Sequence, residues 1–119
     1  MLLLAFLLSG QIMAQSAESY YNSGRKHLTS ALALSLFGDP TADNNKNINN
    51  YFNQAIQGFT KAIKLDKKYT EAYYERGNTY YFKKDYKKAI TDFEAVLKLD
   101  PDHALAKKEL ERAQEASKK

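Results

Sequence analysis

The most constraining feature of the sequence is an apolar pattern that occurs twice, 34 residues apart. A fixed period of this length is typical of helical repeats, in which each unit buries its apolar face by stacking on a neighbour. The sequence therefore predicts an all-α chain that forms a short helical-repeat solenoid. The paired positions are Phe52 with Tyr86, Ala55 with Ala89, Ile56 with Ile90, Phe59 with Phe93, Ala62 with Val96, Ile63 with Leu97, Leu65 with Leu99, and Asp66 with Asp100.

The composition excludes several kinds of chemistry. The 119 residues fit one domain, and without cysteine they offer neither disulfides nor thiolate metal ligands. No glycine-rich phosphate loop or serine elbow occurs, and we predict that Asp92 and Glu94 lie on the outer face of a helix. His27 falls at a helix-packing position and His103 in a solvated turn. We therefore expect no enzyme activity, no cofactor and no metal.

Residues 1–14 have the pattern of a secretory signal peptide. An apolar run, Leu2 to Leu8, precedes small residues and the Ala14–Gln15 junction, which resembles bacterial cleavage sites. The run is shorter than the roughly 20 residues that span a membrane. We expect an exported protein, periplasmic or secreted, whose mature chain has no transmembrane segment. The alternative is a buried N-terminal apolar helix, although no Lys or Arg precedes Leu2 in either case.

Apolar residues at helical spacing predict the elements of the mature chain. The first helix runs from Ala17 to Phe37 and ends at Gly38, before a proline. An Asn-rich stretch, residues 38–50, is predicted to be a surface loop inserted into the first repeat. The later helices are predicted at about 50–66, 70–83, 86–99 and 104–117, the last as a capping helix with a polar outer face.

Residues 70–103 place small residues between large aromatic ones on two consecutive helices, and this motif resembles the tetratricopeptide repeat (TPR). Arg76 and Lys84 depart from the family pattern, which more often has Leu and Gly there. A broken copy spans about residues 17–66. The positions that carry the resemblance are Tyr73, Gly77, Tyr80, Ala89, Phe93, Val96 and Pro101 in the second repeat, and Tyr20, Gly24, His27, Ala55, Phe59 and Ala62 in the first.

The resemblance implies a non-catalytic adaptor or scaffold that holds a protein or peptide on the concave face, which the first helix of each repeat lines. Aromatic side chains with Asn and Arg donors suit an extended or helical peptide. A carboxylate clamp of the family type is not expected, because Tyr21 and Tyr74 stand where Lys is needed. The candidate binding residues are Tyr21, Asn22, Arg25, Leu28, Tyr74, Asn78, Tyr81 and Phe82, with Glu18 and Glu71 on the same face.

Two alternative functions stay open. The long first helix could cover a second copy and give a homo-oligomer. Four lysines around one turn could instead form an anion patch, since two of them oppose the dipole of the helix that they begin. A solvated lysine-rich surface is the favoured explanation of the net charge of +4. No nucleic-acid partner is expected from a helical repeat with an export signal. The lysines are Lys83, Lys84, Lys87 and Lys88.

Overall fold

The computed structural model describes the backbone of residues 2–119 and the side chains of residues 16–119. Within this range the chain forms five α-helices and no strand, which confirms the predicted fold class. The helices are α1 (Leu2–Phe37), α2 (Ala42–Leu65), α3 (Thr70–Phe82), α4 (Tyr86–Leu99) and α5 (Ala104–Ser117).

Each helix packs on the next one in the chain, as helices joined by short connections do. In addition, α1 contacts α3, and α3 contacts α5. The alternate helices α1, α3 and α5 therefore lie side by side and line one face of a short solenoid.

The signal-peptide prediction concerns residues 1–14, whose side chains lie outside the part of the chain that the structure describes. The backbone of residues 2–14 is the first part of α1. Among the described residues, no helix is long and apolar enough to cross a membrane. Export therefore stays a prediction.

The prediction of a loop at residues 38–50 is wrong from residue 42 onward, because α2 begins at Ala42. Thr41 caps this helix, since its hydroxyl accepts a hydrogen bond from the backbone N–H of Asn44 at 3.2 Å. The first two turns of α2 are largely exposed and polar, so the sequence has no apolar pattern there that would predict a helix. The inserted residues lengthen both α1 and α2, which form a longer hairpin than α3 and α4 do.

Glycines bring the paired helices into close contact. A Cβ added at Gly58 would lie 2.8 Å from the Cα and N of Gly24 and from the carbonyl oxygen of Tyr20. Because these are backbone atoms, no side-chain rotation could relieve the overlap. In the second hairpin, a Cβ at Gly77 would lie 2.8 Å from Cε1 of Phe93, whose ring is fully buried. Both hairpins therefore close at a glycine.

Arg76 links both repeats through hydrogen bonds. Its Nε and Nη2 each donate to a carboxylate oxygen of Asp92 on α4 at 2.8 Å, and its Nη1 donates to the hydroxyl of Thr60 on α2 at 3.2 Å. Asp92 is 2% exposed, so the prediction that it lies on an outer face is wrong. Burial raises the pKa of the Asp92 carboxyl, and the bonds from Arg76 oppose that effect. Arg76, which stands where the family more often has Leu, is therefore accompanied by the buried carboxylate of Asp92.

The turn after α3 forms without the usual glycine. Lys84 has a φ of 64°, a left-handed conformation that costs an L-residue about 1–2 kcal/mol. Its N–H donates to the carbonyl of Tyr81, and the N–H of Asp85 donates to the carbonyl of Tyr80, both at 2.9 Å. This pair of bonds is the Schellman motif, which satisfies the last carbonyls of the helix.

We predict that Gly58→Ala lowers the free energy of unfolding by about 1–3 kcal/mol, the usual cost of overpacking. The contact with the α1 backbone outweighs a gain of about 1 kcal/mol in helix propensity. Urea unfolding followed by circular dichroism measures the change. Gln57→Ala, at the exposed neighbouring position, is the control and should change stability by less than about 0.5 kcal/mol. A Gly58→Ala variant as stable as the parent would contradict the close approach of α1 and α2.

We further predict that Arg76→Leu alone destabilises the protein by about 3 kcal/mol or more, because it leaves the buried Asp92 carboxylate unpaired. Asp92→Ala alone should have a similar cost. The double variant should be more stable than the sum of the two costs implies, since neither charge is then left without its partner. A double-mutant cycle in urea measures this coupling. Strictly additive costs would show that the pair does not act as a unit.

Candidate functional site

The face lined by α1, α3 and α5 brings together most of the residues that the sequence indicated for binding. Tyr21 and Arg25 lie on α1, and Tyr74, Asn78 and Tyr81 lie on α3. Asn22 is also on α1 and exposed. This surface is called the groove below, and its residues are Tyr21, Arg25, Tyr69, Glu71, Tyr74, Glu75, Asn78, Tyr81 and Arg112.

A polar cluster joins α1 to α3 in the groove. The guanidinium carbon of Arg25 lies 6.0 Å from the ring centre of Tyr21, and its charge opposes the rise in the pKa of Tyr21 that burial causes. Burial raises the pKa of Glu75, while the charge of Arg25 and a hydrogen bond with Asn78 oppose this effect. Glu75 was not predicted from the sequence. Its spacing of four residues from Glu71, on the same helical face, is the signal that could have identified it.

Aromatic rings form the wall of the groove. The ring of Tyr21 lies 5.8 Å from that of Phe59 and 5.0 Å from that of Tyr69. The ring of Tyr74 lies 6.0 Å from that of Phe93, a core residue. These tyrosines are only partly buried, so each packs on the core through one side and faces the groove with the rest. They have both a structural and a surface role.

Helix α5 closes the groove at its other end. His103 is the N-cap of α5, because its Nδ1 accepts a hydrogen bond from the backbone N–H of Ala106 at 3.0 Å. Its ring lies 5.2 Å from that of Tyr74, so the prediction of a solvated His103 is wrong. Arg112 lies with its guanidinium carbon 5.3 Å from the ring centre of Tyr81. The sequence interpretation did not include Arg112, because it considered α5 only as a cap.

Two of the predicted binding residues do not face the groove. Leu28 is 6% exposed and packs with Phe52 and Phe59 in the core between α1 and α2, so its predicted role in binding is wrong. Its position on α1 faces α2, because the apolar stripe of α1 includes it. Phe82 is 45% exposed, and its ring stacks on that of Phe52 at 6.1 Å, where α3 ends against α2.

The four clustered lysines do not converge on one point. The Nζ of Lys83 donates a hydrogen bond to Oδ1 of Asn53 on α2. Lys88 pairs with Asp85 at 3.8 Å in the first turn of α4. The described residues also include no group of three or more His, Asp or Glu side chains placed to hold a metal ion. The two remaining lysines are exposed: Lys84 and Lys87.

The geometry defines a class of protein, a short α-helical solenoid in which alternate helices line a groove. Residues 70–103 match the tetratricopeptide repeat family, and residues 48–84 match the TPR repeat. The two matches overlap and together cover residues 48–103, so this part of the chain is similar to tetratricopeptide repeats. A comparison with curated proteins finds no match.

The solved structures that are similar to this chain include two TPR domains. The Arabidopsis OM64 TPR domain is 28% identical with a TM-score of 0.53, and the match covers 90% of this chain and 95% of that one. The first TPR of Spaghetti (RPAP3), bound to the HSP90 peptide SRMEEVD, is 24% identical with a TM-score of 0.57, covering 89% of this chain and 96% of that one. At this identity the second likeness shows the fold alone.

We predict that Glu75→Gln changes how stability depends on pH. A carboxyl with a raised pKa in the folded state binds more protons there than in the unfolded state, so it stabilises the fold increasingly as pH falls through that pKa. The parent should therefore gain stability relative to Glu75→Gln when the pH is lowered from about 7 to about 4. Urea unfolding at a series of pH values measures the difference. Glu94→Gln, at an exposed position on α4, is the control. A difference of opposite sign would show that the charged form of Glu75 is stabilised.

Proposed function

We propose that this chain is a non-catalytic adaptor that binds a protein or a peptide in the groove between α1, α3 and α5. The observation that carries the proposal is the row of partly buried tyrosines beside Arg25 and Asn78. Aromatic rings and arginines are the side chains that contribute most to binding at protein interfaces. A groove with these residues on rigid helices suits an extended or helical segment.

Packing prepares the groove for binding. Tyr21 is held against Phe59, and Tyr74 is held against Phe93, so neither ring must be ordered when a partner arrives. Side-chain ordering costs about 0.5–1.5 kcal/mol for each flexible residue at an interface. The groove avoids much of this cost, which favours binding over a purely structural use of the exposed aromatic surface.

The similar folds support a peptide as the partner without identifying it. The TPR of Spaghetti is bound to a peptide in its own structure. In this chain Tyr21 and Tyr74 occupy the positions at which the family clamp has Lys, so we propose a different mode of recognition. We also propose that the protein acts after export, in the periplasm or outside the cell, which the pattern of residues 1–14 supports.

A second candidate function, self-association, is favoured by the tip of the α1–α2 hairpin. Leu36 and Phe37 are 74% and 87% exposed there. Phe37 also lines an open cleft of about 550 Å³, together with Ala33, Leu34 and Tyr51. Sedimentation equilibrium would identify a dimer, and Phe37→Ser should dissociate it if the tip is the interface. A monomer at all concentrations would exclude this candidate.

We predict that Arg25→Ala and Asn78→Ala each weaken peptide binding by about tenfold, which corresponds to the loss of about one polar contact. Peptides are first selected with the parent protein from a displayed random library, and their affinities are then measured by fluorescence anisotropy. Lys98→Ala, at an exposed position on α4, is the control and should bind as the parent does. Circular dichroism checks that each variant is folded. Peptides that bind both groove variants at full affinity would place the site elsewhere.

A further inference from the structure

An aromatic pair at the start of α3 is surrounded by acidic side chains. The rings of Tyr21 and Tyr69 lie 5.0 Å apart, one on α1 and the other at the N-cap of α3. The charges of Glu18 and Glu71 act on the hydroxyl of Tyr69, and those of Glu71 and Glu75 act on the hydroxyl of Tyr21. The charge of Asp66, which follows α2, acts on Tyr69 as well, so four carboxylates lie near enough to act on one pair of rings.

The charge of this region is negative, although the chain as a whole carries +4. Burial is the main cause of the raised pKa of Tyr69, and the acidic neighbours raise it further. Burial is also the main cause of the raised pKa of Tyr21; the acidic neighbours raise it further, and Arg25 is the cation that opposes them. The carboxylates that act on the two rings thus outnumber the one guanidinium that opposes them, which leaves an excess of negative charge beside the rings.

These carboxylates are also available to a partner. None of the ion pairs among the residues with described side chains includes Glu18, Glu71 or Glu75. Lys67 and Lys68 precede Tyr69 in the chain, but both are exposed and belong to none of these ion pairs. Glu18 and Glu71 therefore have no ion-pair partner of the kind that Asp92 and Glu109 have, whereas Glu75 has the charge of Arg25 nearby.

We infer that the Tyr21–Tyr69 region is a subsite of the groove that binds a lysine or arginine side chain of the partner. The inference rests on the proposed function, because it concerns one end of the same groove. Cations bind to the faces of tyrosine rings, and Arg25 already lies near the ring of Tyr21. A second cation would find the ring pair and the carboxylates of Glu18 and Glu71 together. An acidic side chain would be repelled here.

This subsite gives the groove a direction. The acidic end lies where α3 begins, at Glu71, whereas Arg112 lies beside Tyr81 toward the end of α3. A peptide with a basic residue at one position would therefore bind in one register and one orientation. Complementary charges determine specificity and orientation more than they determine affinity.

The test uses the peptides selected from the random library. We expect them to share a lysine or arginine at one position, and its replacement by norleucine, which has a similar shape and no charge, should weaken binding at least about tenfold. The double variant Glu18→Gln with Glu71→Gln should weaken binding of the basic peptide by a similar factor. The norleucine peptide should lose less affinity in this double variant than the basic peptide does.

A matched control removes the same number of charges elsewhere. Glu94→Gln with Glu115→Gln neutralises two exposed carboxylates on α4 and α5 and should bind the basic peptide as the parent does. Loss of affinity in this control as well would show a general effect of net charge and would overturn the inference.

The remaining outcomes separate the inference from the proposed function. Selected peptides that lose affinity with Asn78→Ala, yet have no basic residue or have an acidic one at the shared position, would overturn the inference alone. Failure to select any peptide that binds the groove would overturn both.

Discussion

The contact of α1 with α2 at Gly24 and Gly58 sets the geometry of the molecule. At this point backbone meets backbone, with no space for a Cβ atom. The distance between the helices is therefore fixed by main-chain atoms and does not depend on side-chain rotamers. Because α3 packs on α2 and also touches α1, the width of the groove follows from this first contact. The long hairpin is the rigid part on which the later helices are placed.

The hydrogen bonds of Arg76 extend this geometry to the second repeat. They join Thr60, at the back of the first hairpin, to Asp92 on α4. An apolar side chain would fill the same space without directing the helices, whereas a bidentate pair has one good geometry. The bidentate pair therefore orients α3 and α4 within the second hairpin, and the single bond to Thr60 connects that hairpin to the first.

Periodicity predicted the fold well because burial follows spacing. The offset that relates Phe59 to Phe93 identified two rings that are both fully buried. The start of α2 could not be predicted in this way, since residues 42–47 are mostly exposed and carry no apolar stripe. The site was partly predicted for a related reason. Position on a helix indicated Tyr21, Arg25 and Asn78, but it misplaced Leu28.

Glu75 and Arg112 are two residues of the candidate site that only the three-dimensional arrangement of the helices identifies. Both are charged residues on amphipathic helices, where the sequence pattern indicates a solvated face. Glu75 becomes part of the groove because α1 lies across it with Arg25, and Arg112 because α5 returns beside Tyr81. Those neighbours come from other helices, at sequence distances that no local pattern reports. The tyrosines are harder to interpret, since packing and partner contact use the same ring. The polar residues between them are therefore where recognition and stability can be separated experimentally.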